Sequence, residues 1–229
     1  MRIPRAPHRW DVTPTRAMAI QRELAGRLRL ERPRRAPRLV AGIDVAFTRD
    51  GRSCIAGAVL WDLRERAVVE QRTALRPSRF PYIPGLLSFR EAPAALAALR
   101  RLRSVPDALI CDGQGYAHPR RFGLACHVGL IVDLPAVGCG KSRLCGEHRE
   151  PGRRRGSAAP LLHGGEVVGT VLRTRDGVNP VYVSVGQRID LPSAERLVLD
   201  CAVRYRLPEP TRLADALVGA AKRGYPSSA

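Results

Sequence analysis

No apolar run in this chain of 229 residues approaches the length that crosses a membrane, and its basic N-terminus lacks the apolar core of a secretory signal. A soluble, cytoplasmic protein is expected. Paired cysteines are lacking too. Cys54, Cys111, Cys126, Cys139, Cys145 and Cys201 follow no paired spacing, and several sit inside apolar runs, where a thiol behaves as a small hydrophobe. This excludes a disulfide scaffold and fits a reducing compartment. Cys139, Cys145 and His148 have the right atoms for zinc but no compact second pair beside them, so they read as ordinary loop residues. Lysine is the third scarcity: among 39 basic residues only Lys141 and Lys222 are not arginine.

What the chain has in excess is positive charge. With 39 basic and 21 acidic residues it carries a formal +18, with a sequence pI near 11.1, which favours a polyanionic partner and points to nucleic acid. Biased genomic composition is a second source for so much arginine. At 45% hydrophobic residues there is enough material for one substantial core. The expectation is a single domain over residues 1–229, with a poorly defined N-terminal arm at 1–13 and a C-terminal tail at 224–229.

Met18, Ile20, Leu24, Leu28 and Leu30 recur at roughly helical spacing and predict a peripheral amphipathic helix over about 15–30. Arginines and prolines at 32–38 end it. Leu39-Val40-Ala41-Gly42-Ile43-Asp44-Val45-Ala46-Phe47 is then a strand-like apolar run broken by one carboxylate. Asp50-Gly51 signals a hairpin, and 54–60 and 67–75 supply two further strands about a polar turn at 62–66. Next comes Pro81-Tyr82-Ile83-Pro84-Gly85-Leu86-Leu87-Ser88-Phe89-Arg90-Glu91, whose prolines pre-set an extended backbone around Tyr82 and Ile83 and make a stiff ridge.

Pro93 suits the first position of an alanine-rich helix over 93–102. Residues 107–112 form a short strand ending in Asp112, 113–121 a loop, 122–132 a buried helix, and 135–137 a strand entering Gly138-Cys139-Gly140-Lys141. Beyond the arginine-rich insert at 149–155, residues 166–174 and 181–185 read as a hairpin around Asp176-Gly177. Helices over 193–205 and 211–223 close the chain, the first capped by Ser193. Three antiparallel strands, then helix, strand, helix, strand and a late helix, is the order of a ribonuclease H-like domain. The fold expected is therefore α/β, a mixed sheet of three antiparallel strands followed by parallel strands, flanked by helices.

The acids make that expectation chemical. Asp44 lies in an otherwise apolar strand, where an unpaired carboxylate is costly to bury. A salt bridge to arginine would explain it alone. Asp112 repeats the situation at a strand end, and Glu91 lies near a helix start, where the helix dipole also favours an acid. In a ribonuclease H-like sheet the first and fourth strands are neighbours, so Asp44 and Asp112 would converge with Glu91 near them. Clustered carboxylates repel unless a cation neutralises them, and an oxygen-only set suits Mg²⁺ or Mn²⁺. The chemistry implied is phosphodiester hydrolysis.

Five segments in order carry a specific resemblance: 42–47; 81–91; Asp112-Gly113-Gln114-Gly115-Tyr116-Ala117-His118-Pro119-Arg120-Arg121-Phe122-Gly123; Lys141-Ser142-Arg143-Leu144; and Tyr205-Arg206-Leu207-Pro208-Glu209-Pro210-Thr211-Arg212. Together they resemble the successive motifs of endonuclease V, the deoxyinosine 3′-endonuclease family. The resemblance implies Mg²⁺-dependent nicking of deaminated DNA at the second phosphodiester bond 3′ to hypoxanthine, leaving 3′-hydroxyl and 5′-phosphate ends, with Mn²⁺ as a substitute ion. It makes Asp44, Glu91 and Asp112 the metal-binding acids and Asp215, on the last helix, the fourth site residue. Pro81, Tyr82, Ile83 and Pro84, with Gly85 and Leu86, match the wedge that takes the place of the displaced base, and apolar or aromatic groups are what can fill such a gap.

The resemblance further places Gly113, Gln114 and Gly115 at the flipped base, with the glycine amides as donors. His118 would contact the scissile region or a phosphate, and Lys141 would stabilise transition-state charge. Two departures stand out. Val185-Gly186-Gln187 replaces a common Pro-Gly-His, and Gly138-Cys139-Gly140-Lys141 replaces a commoner Gly-Val-Ala-Lys. Deaminated DNA is the expected partner, with no membrane and no obligate protein partner. Inosine-containing RNA is an alternative substrate, and a basic nucleic-acid-binding protein without catalysis is the reading from another class.

Overall fold

A computed structural model describes residues 1–224. The expected C-terminal tail at 224–229 therefore lies outside the described residues except for Gly224. The elements run α1 (Pro14–Ala25), β1 (Leu39–Phe47), β2 (Ser53–Asp62), β3 (Ala67–Pro77), α2 (Leu87–Arg100), β4 (Ala108–Cys111), α3 (Leu124–Val132), β5 (Ala136–Gly140), β6 (Ala158–His163), β7 (Glu166–Leu172), β8 (Val181–Gln187), α4 (Leu191–Cys201) and α5 (Glu209–Arg223). One eight-stranded mixed sheet orders them β3-β2-β1-β4-β5-β8-β7-β6. β1, β2 and β3 pair antiparallel, and β1, β4 and β5 pair parallel, which is the ribonuclease H-like arrangement.

Period-two alternation divides the core between two faces. Ala41 and Ile43 of β1 join Leu109 and Cys111 of β4 in a cluster with the alanine-rich face of α2 and with α3. Val40, Ala108 and Ile110 look the other way, toward β5, β8 and α4. Gly42 shares that second orientation, and α5 lies hard against it: a Cβ at Gly42 would stand 2.0 Å from the backbone carbon of Pro210. The glycine in the middle of an apolar strand is thus what lets α5 seat on β1.

Several expected boundaries move. α2 begins at Leu87 rather than Pro93, so the proline is inside the helix and Glu91 lies beyond its first turn, which contains no acid. α1 stops at Ala25, and α4 is capped by Asp190, whose side chain accepts from Ser193 N, rather than by Ser193. A whole strand, β6, lies in the stretch after the arginine-rich insert where no strand is expected. Residues 1–13 are not a loose arm: Met1, Ile3, Ala6 and Trp10 pack on the core beside α2, and His8 Nε2 meets His127 Nε2 at 2.7 Å. Among the described residues no helix is long and apolar enough to cross a membrane.

Candidate active site

The backbone brings Asp44 and Asp112 together. The parallel register aligns Ile43 with Cys111, and Asp112 N donates to Ile43 O at 2.9 Å, so Asp44, inside β1, and Asp112, just past the end of β4, follow as neighbours on adjacent strands. Glu91 approaches from α2 and Asp215 from α5. Asp44 and Glu91 are buried, at 9% and 7% exposure, and among the described residues neither has an ion-pair partner. The arginine salt bridge that would explain Asp44 structurally is not present. Arg90, next to Glu91, points elsewhere, with Nε on Ser78 Oγ at 3.0 Å and its guanidinium over the Phe47 ring.

Burial and mutual repulsion set the electrostatics. Desolvation first, then the charges of Asp112 and Asp215, raises the Asp44 carboxyl to about 7. Desolvation, with Asp44 and Asp112 adding to it, raises Glu91 to about 8. The resident counter-charge is Lys141, whose Nζ lies 2.6 Å from Asp112 Oδ2 and 3.9 Å from Asp215 Oδ2. Burial works against that ammonium, but the hydrogen bond to Asp112 and the surrounding carboxylates outweigh it and raise its pKa. Arg206, in the last of the five segments, holds the backbone behind the lysine: its Nη2 donates to Lys141 O at 2.8 Å and to Pro180 O at 2.7 Å.

Among the described residues no group of three or more His, Cys, Asp or Glu side chains stands arranged to grip a metal ion. The chemistry of the donor set nevertheless fits a hard cation. Asp44, Glu91 and Asp112 offer only oxygen, the charge of Asp112 helps to raise both Asp44 and Glu91, and among the described residues no cationic side chain is bonded to Glu91.

Beside the acids is a pocket of about 230 Å³, lined by Tyr82, Gly85, Gly113, Gln114, His118 and Leu144 among others. Gly113 follows Asp112 directly, so pocket and acids share a wall. Tyr82 stands out at 69% exposure, while Ile83 is partly buried beneath it. The ridge is pinned at Gly85, whose carbonyl oxygen accepts from Gln21 Nε2 at 3.0 Å, His118 Nε2 at 2.9 Å and Arg120 Nη2 at 2.6 Å. Nothing in residue type or spacing marks Gln21, and Arg120, although inside the 112–123 segment, has no role assigned to it there. A larger groove of about 920 Å³, between residues 32–37 and α4, contains no member of the acid cluster.

Three of the expected site residues are engaged within the fold itself. His118 is 3% exposed and neutral: burial first, then the charge of Arg120, lowers it to about 4. Its Nδ1 accepts from Arg120 N at 3.1 Å, which leaves Nε2–H to donate to Gly85, so the ring ties the ridge down. Leu86 is 1% exposed and packs with Phe80 and Phe89 in the core, not in the wedge. Gly115 N already donates to Ser184 Oγ at 2.9 Å and is not free for a base.

The two departures also find physical settings. Gln187 pairs with Ala136 at the N-terminal end of β5, away from Lys141, and its Oε1 accepts from Arg29 N at 2.9 Å. It is structural, remote from the acids. Gln114 lies over Gly140: a Cβ there would sit 2.3 Å from Gln114 Nε2, the atom that donates to Ser142 O at 2.9 Å. A glycine where alanine is commoner leaves room for that amide, which ties the pocket to the segment carrying Lys141.

A basic chain with a ribonuclease H-like sheet, neighbouring carboxylates on two adjacent parallel strands and a lysine among them is a nuclease, an enzyme acting on phosphodiester bonds. The chain belongs to the Endonuclease V family, whose model matches residues 22–216. It is 51% identical to Endonuclease V of Azotobacter vinelandii over 208 residues, covering 91% of this chain and 94% of that one. Endonuclease V from Streptomyces avermitilis superposes with a TM-score of 0.90 at 46% identity, over 97% of this chain and 98% of that chain. Endonuclease V of Ciona intestinalis, solved in complex with a 23mer DNA containing an inosine followed by a ribo-adenosine, shares the fold at a TM-score of 0.80 and 21% identity, over 93% and 99% of the two chains. The family is metal-dependent.

Proposed function

We propose that this protein nicks DNA at the second phosphodiester bond 3′ to deoxyinosine, leaving 3′-hydroxyl and 5′-phosphate ends, as a single-domain cytoplasmic repair enzyme. The observation that carries the reading is the shared wall between the acids and the base-sized pocket: Asp112 belongs to one and Gly113 to the other. A base turned out of the stack into the pocket brings its 3′ backbone toward the carboxylates.

Asp44, Glu91 and Asp112 would hold Mg²⁺, with Asp215 at the margin and Mn²⁺ able to substitute. When bound, the ion supplies Lewis acidity to a phosphoryl oxygen and lowers the pKa of a bound water. Lys141 offers an ammonium to the phosphate, steered by Asp112 and Asp215. Tyr82, held upright by the pinned Gly85 carbonyl, fills the gap in the stack. Gly113 and the Gln114 side chain line the seat of the base. Neutral His118 fixes the ridge and transfers no proton.

A nicking assay on a duplex with one deoxyinosine tests this. Cleavage is expected one nucleotide beyond the lesion's 3′ neighbouring bond, only with a divalent ion, and lost in Asp44→Ala and Asp112→Ala while lesion binding persists. Cleavage that survives thorough chelation, or full activity in either variant, overturns it. Matched inosine-containing RNA in the same assay measures the preference between the two sugars.

A further inference from the structure

The turn that carries His118 is held at both ends by one carboxylate from outside it. Glu166 is the first residue of β7, at the tip of the β6–β7 hairpin. Tyr116 Oη donates to Glu166 Oε1 at 2.8 Å, and Arg121 Nε donates to Glu166 Oε2 at 2.8 Å. Between those two donors lies His118. Arg121 spends the rest of its guanidinium in the same small region: Nη1 on His118 O at 3.1 Å and on His163 Nδ1 at 2.8 Å, Nη2 on His163 O at 2.9 Å.

The backbone shows that this point is over-determined. Arg121 has φ +56°, a left-handed conformation that a residue with a side chain holds only where its surroundings enforce it, and such residues gather at functional sites. On the hairpin side, Gly164 and Gly165, at φ +65° and +78°, make the tight turn that delivers Glu166. From the held turn, His118 Nε2 reaches Gly85 O and so the ridge that presents Tyr82. An unbroken series of hydrogen bonds runs from Glu166 through Tyr116 and Arg121 to His118 and the wedge.

We propose that Glu166 is a positioning residue for lesion recognition. Through Tyr116 and Arg121 it fixes the His118 turn, and through His118 it sets the distance between the ridge and Gly113 that a flipped base must fit. This rests on the reading of ridge and pocket given above. The role is separable from folding. Glu166 is 46% exposed in its pair with Arg121, and an ion pair so open to solvent contributes little to stability. Its two-sided, charge-assisted geometry fixes direction rather than supplying energy.

The test compares wild type, Glu166→Ala, Glu166→Gln, Tyr116→Phe and the Tyr116→Phe/Glu166→Ala double variant on duplexes with and without deoxyinosine. Glu166→Ala is expected to stay within about 3 °C of the wild-type Tm. It should lose roughly tenfold in kcat/KM on the lesion, mainly through KM, well inside the hundredfold that a 1 Å misplacement can cost. Affinity for undamaged duplex should stay within about twofold, since no contact to phosphate is removed. Glutamine should restore most of the loss, because it can turn its oxygen to Arg121 and its amide N–H to the Tyr116 oxygen. Tyr116→Phe should show a smaller loss of the same kind, and adding it to Glu166→Ala should cost nothing further. Wild-type nicking with Glu166→Ala equally active, or a loss shared equally by lesion and undamaged duplex, overturns the positioning role alone. A wild type that does not nick overturns the reading of the site, and this inference with it.

Discussion

Glu91 and Asp44 are built to be ions only when a cation is beside them, and that makes a testable conflict between stability and function. Both carboxyls are raised in the folded protein, to about 8 and about 7, above their ordinary values. The folded state therefore binds more protons than the unfolded chain between about pH 4 and pH 8, and without metal its stability falls as pH rises through that window. Glu91→Gln removes the charge and keeps the shape. In the presence of chelator it should raise Tm strongly at pH 8.5 and much less at pH 5.5, where folded Glu91 is protonated and only the unfolded chain has begun to ionise, while abolishing cleavage. At about 2–4 °C per kcal/mol for a chain of this size, the gain is readable by scanning calorimetry or dye fluorescence. An equal shift at both pH values would refute the charge argument.

Gly140 and Gln114 are a second residue-scale case, because one owes its room to the other. Gly140→Ala places a methyl group where Gln114 Nε2 now sits, and should cost about tenfold in kcat/KM as the amide leaves Ser142 O. Gln114→Ala/Gly140→Ala should cost no more than Gln114→Ala alone, a coupling a double-mutant cycle measures directly. Single-residue chemistry was legible in the sequence where it broke a pattern. Asp44 and Asp112 stand out because carboxylates interrupt apolar strands, and Lys141 because it is a lysine among arginines. The neutrality of His118, the spent amide of Gly115 and the burial of Leu86 were not legible, since each depends on partners distant in the chain: Gly85, Ser184, and the α1 and α3 side chains clustered with Leu86.

Among the elements, the first four strands follow from apolar runs and turn residues, and their parallel β1–β4 contact follows from their order. β6 escaped because Pro160 lies inside it. Proline removes a ladder donor and argues against a central strand, but β6 is the outermost strand of the sheet, where one free edge tolerates it. Gly164-Gly165 was the available hairpin signal. The start of α2 was displaced because Pro93 suits a first turn, yet Gly85, at φ +78°, ends the ridge and the helix begins two residues later. That earlier start matters for the site: it carries Glu91 on a rigid helix that leaves the ridge directly. The ridge and Glu91 are thus one element in mechanical terms. Tyr82→Ala should weaken discrimination for deoxyinosine by about tenfold, the worth of one lost stacking contact, with less than twofold change in affinity for undamaged duplex. Equal losses on both duplexes, measured by competition binding, would mean that Tyr82 serves as a general contact and not as a wedge.

The whole molecule carries +18, and the structure shows that this charge is not simply available to DNA. Arg38 is paired with Asp62, Arg121 with Glu166, Arg173 with Glu150 and Arg188 with Asp133. Within the insert at 149–155, Arg155 reaches the carbonyl oxygens of Thr174 and Leu199 and so closes the loop against its own sheet and α4, while Arg149, Arg153 and Arg154 remain exposed. Two behaviours separate a solvated charged loop from one that follows the phosphate backbone. If the three exposed arginines contact phosphates, replacing them with alanine should flatten the plot of log affinity against log salt by up to about 0.9 per contact removed, equally for damaged and undamaged duplex. The lesion preference should then stand unchanged, because phosphate contacts position a protein without reading the base. Wild type should lose affinity steeply between 50 mM and 200 mM salt, as proteins with several phosphate contacts do, by about a thousandfold or more where six or more are made. A triple variant with the wild-type slope would assign the insert to solvent and leave the net charge as a long-range attraction that brings the chain to DNA without holding it there.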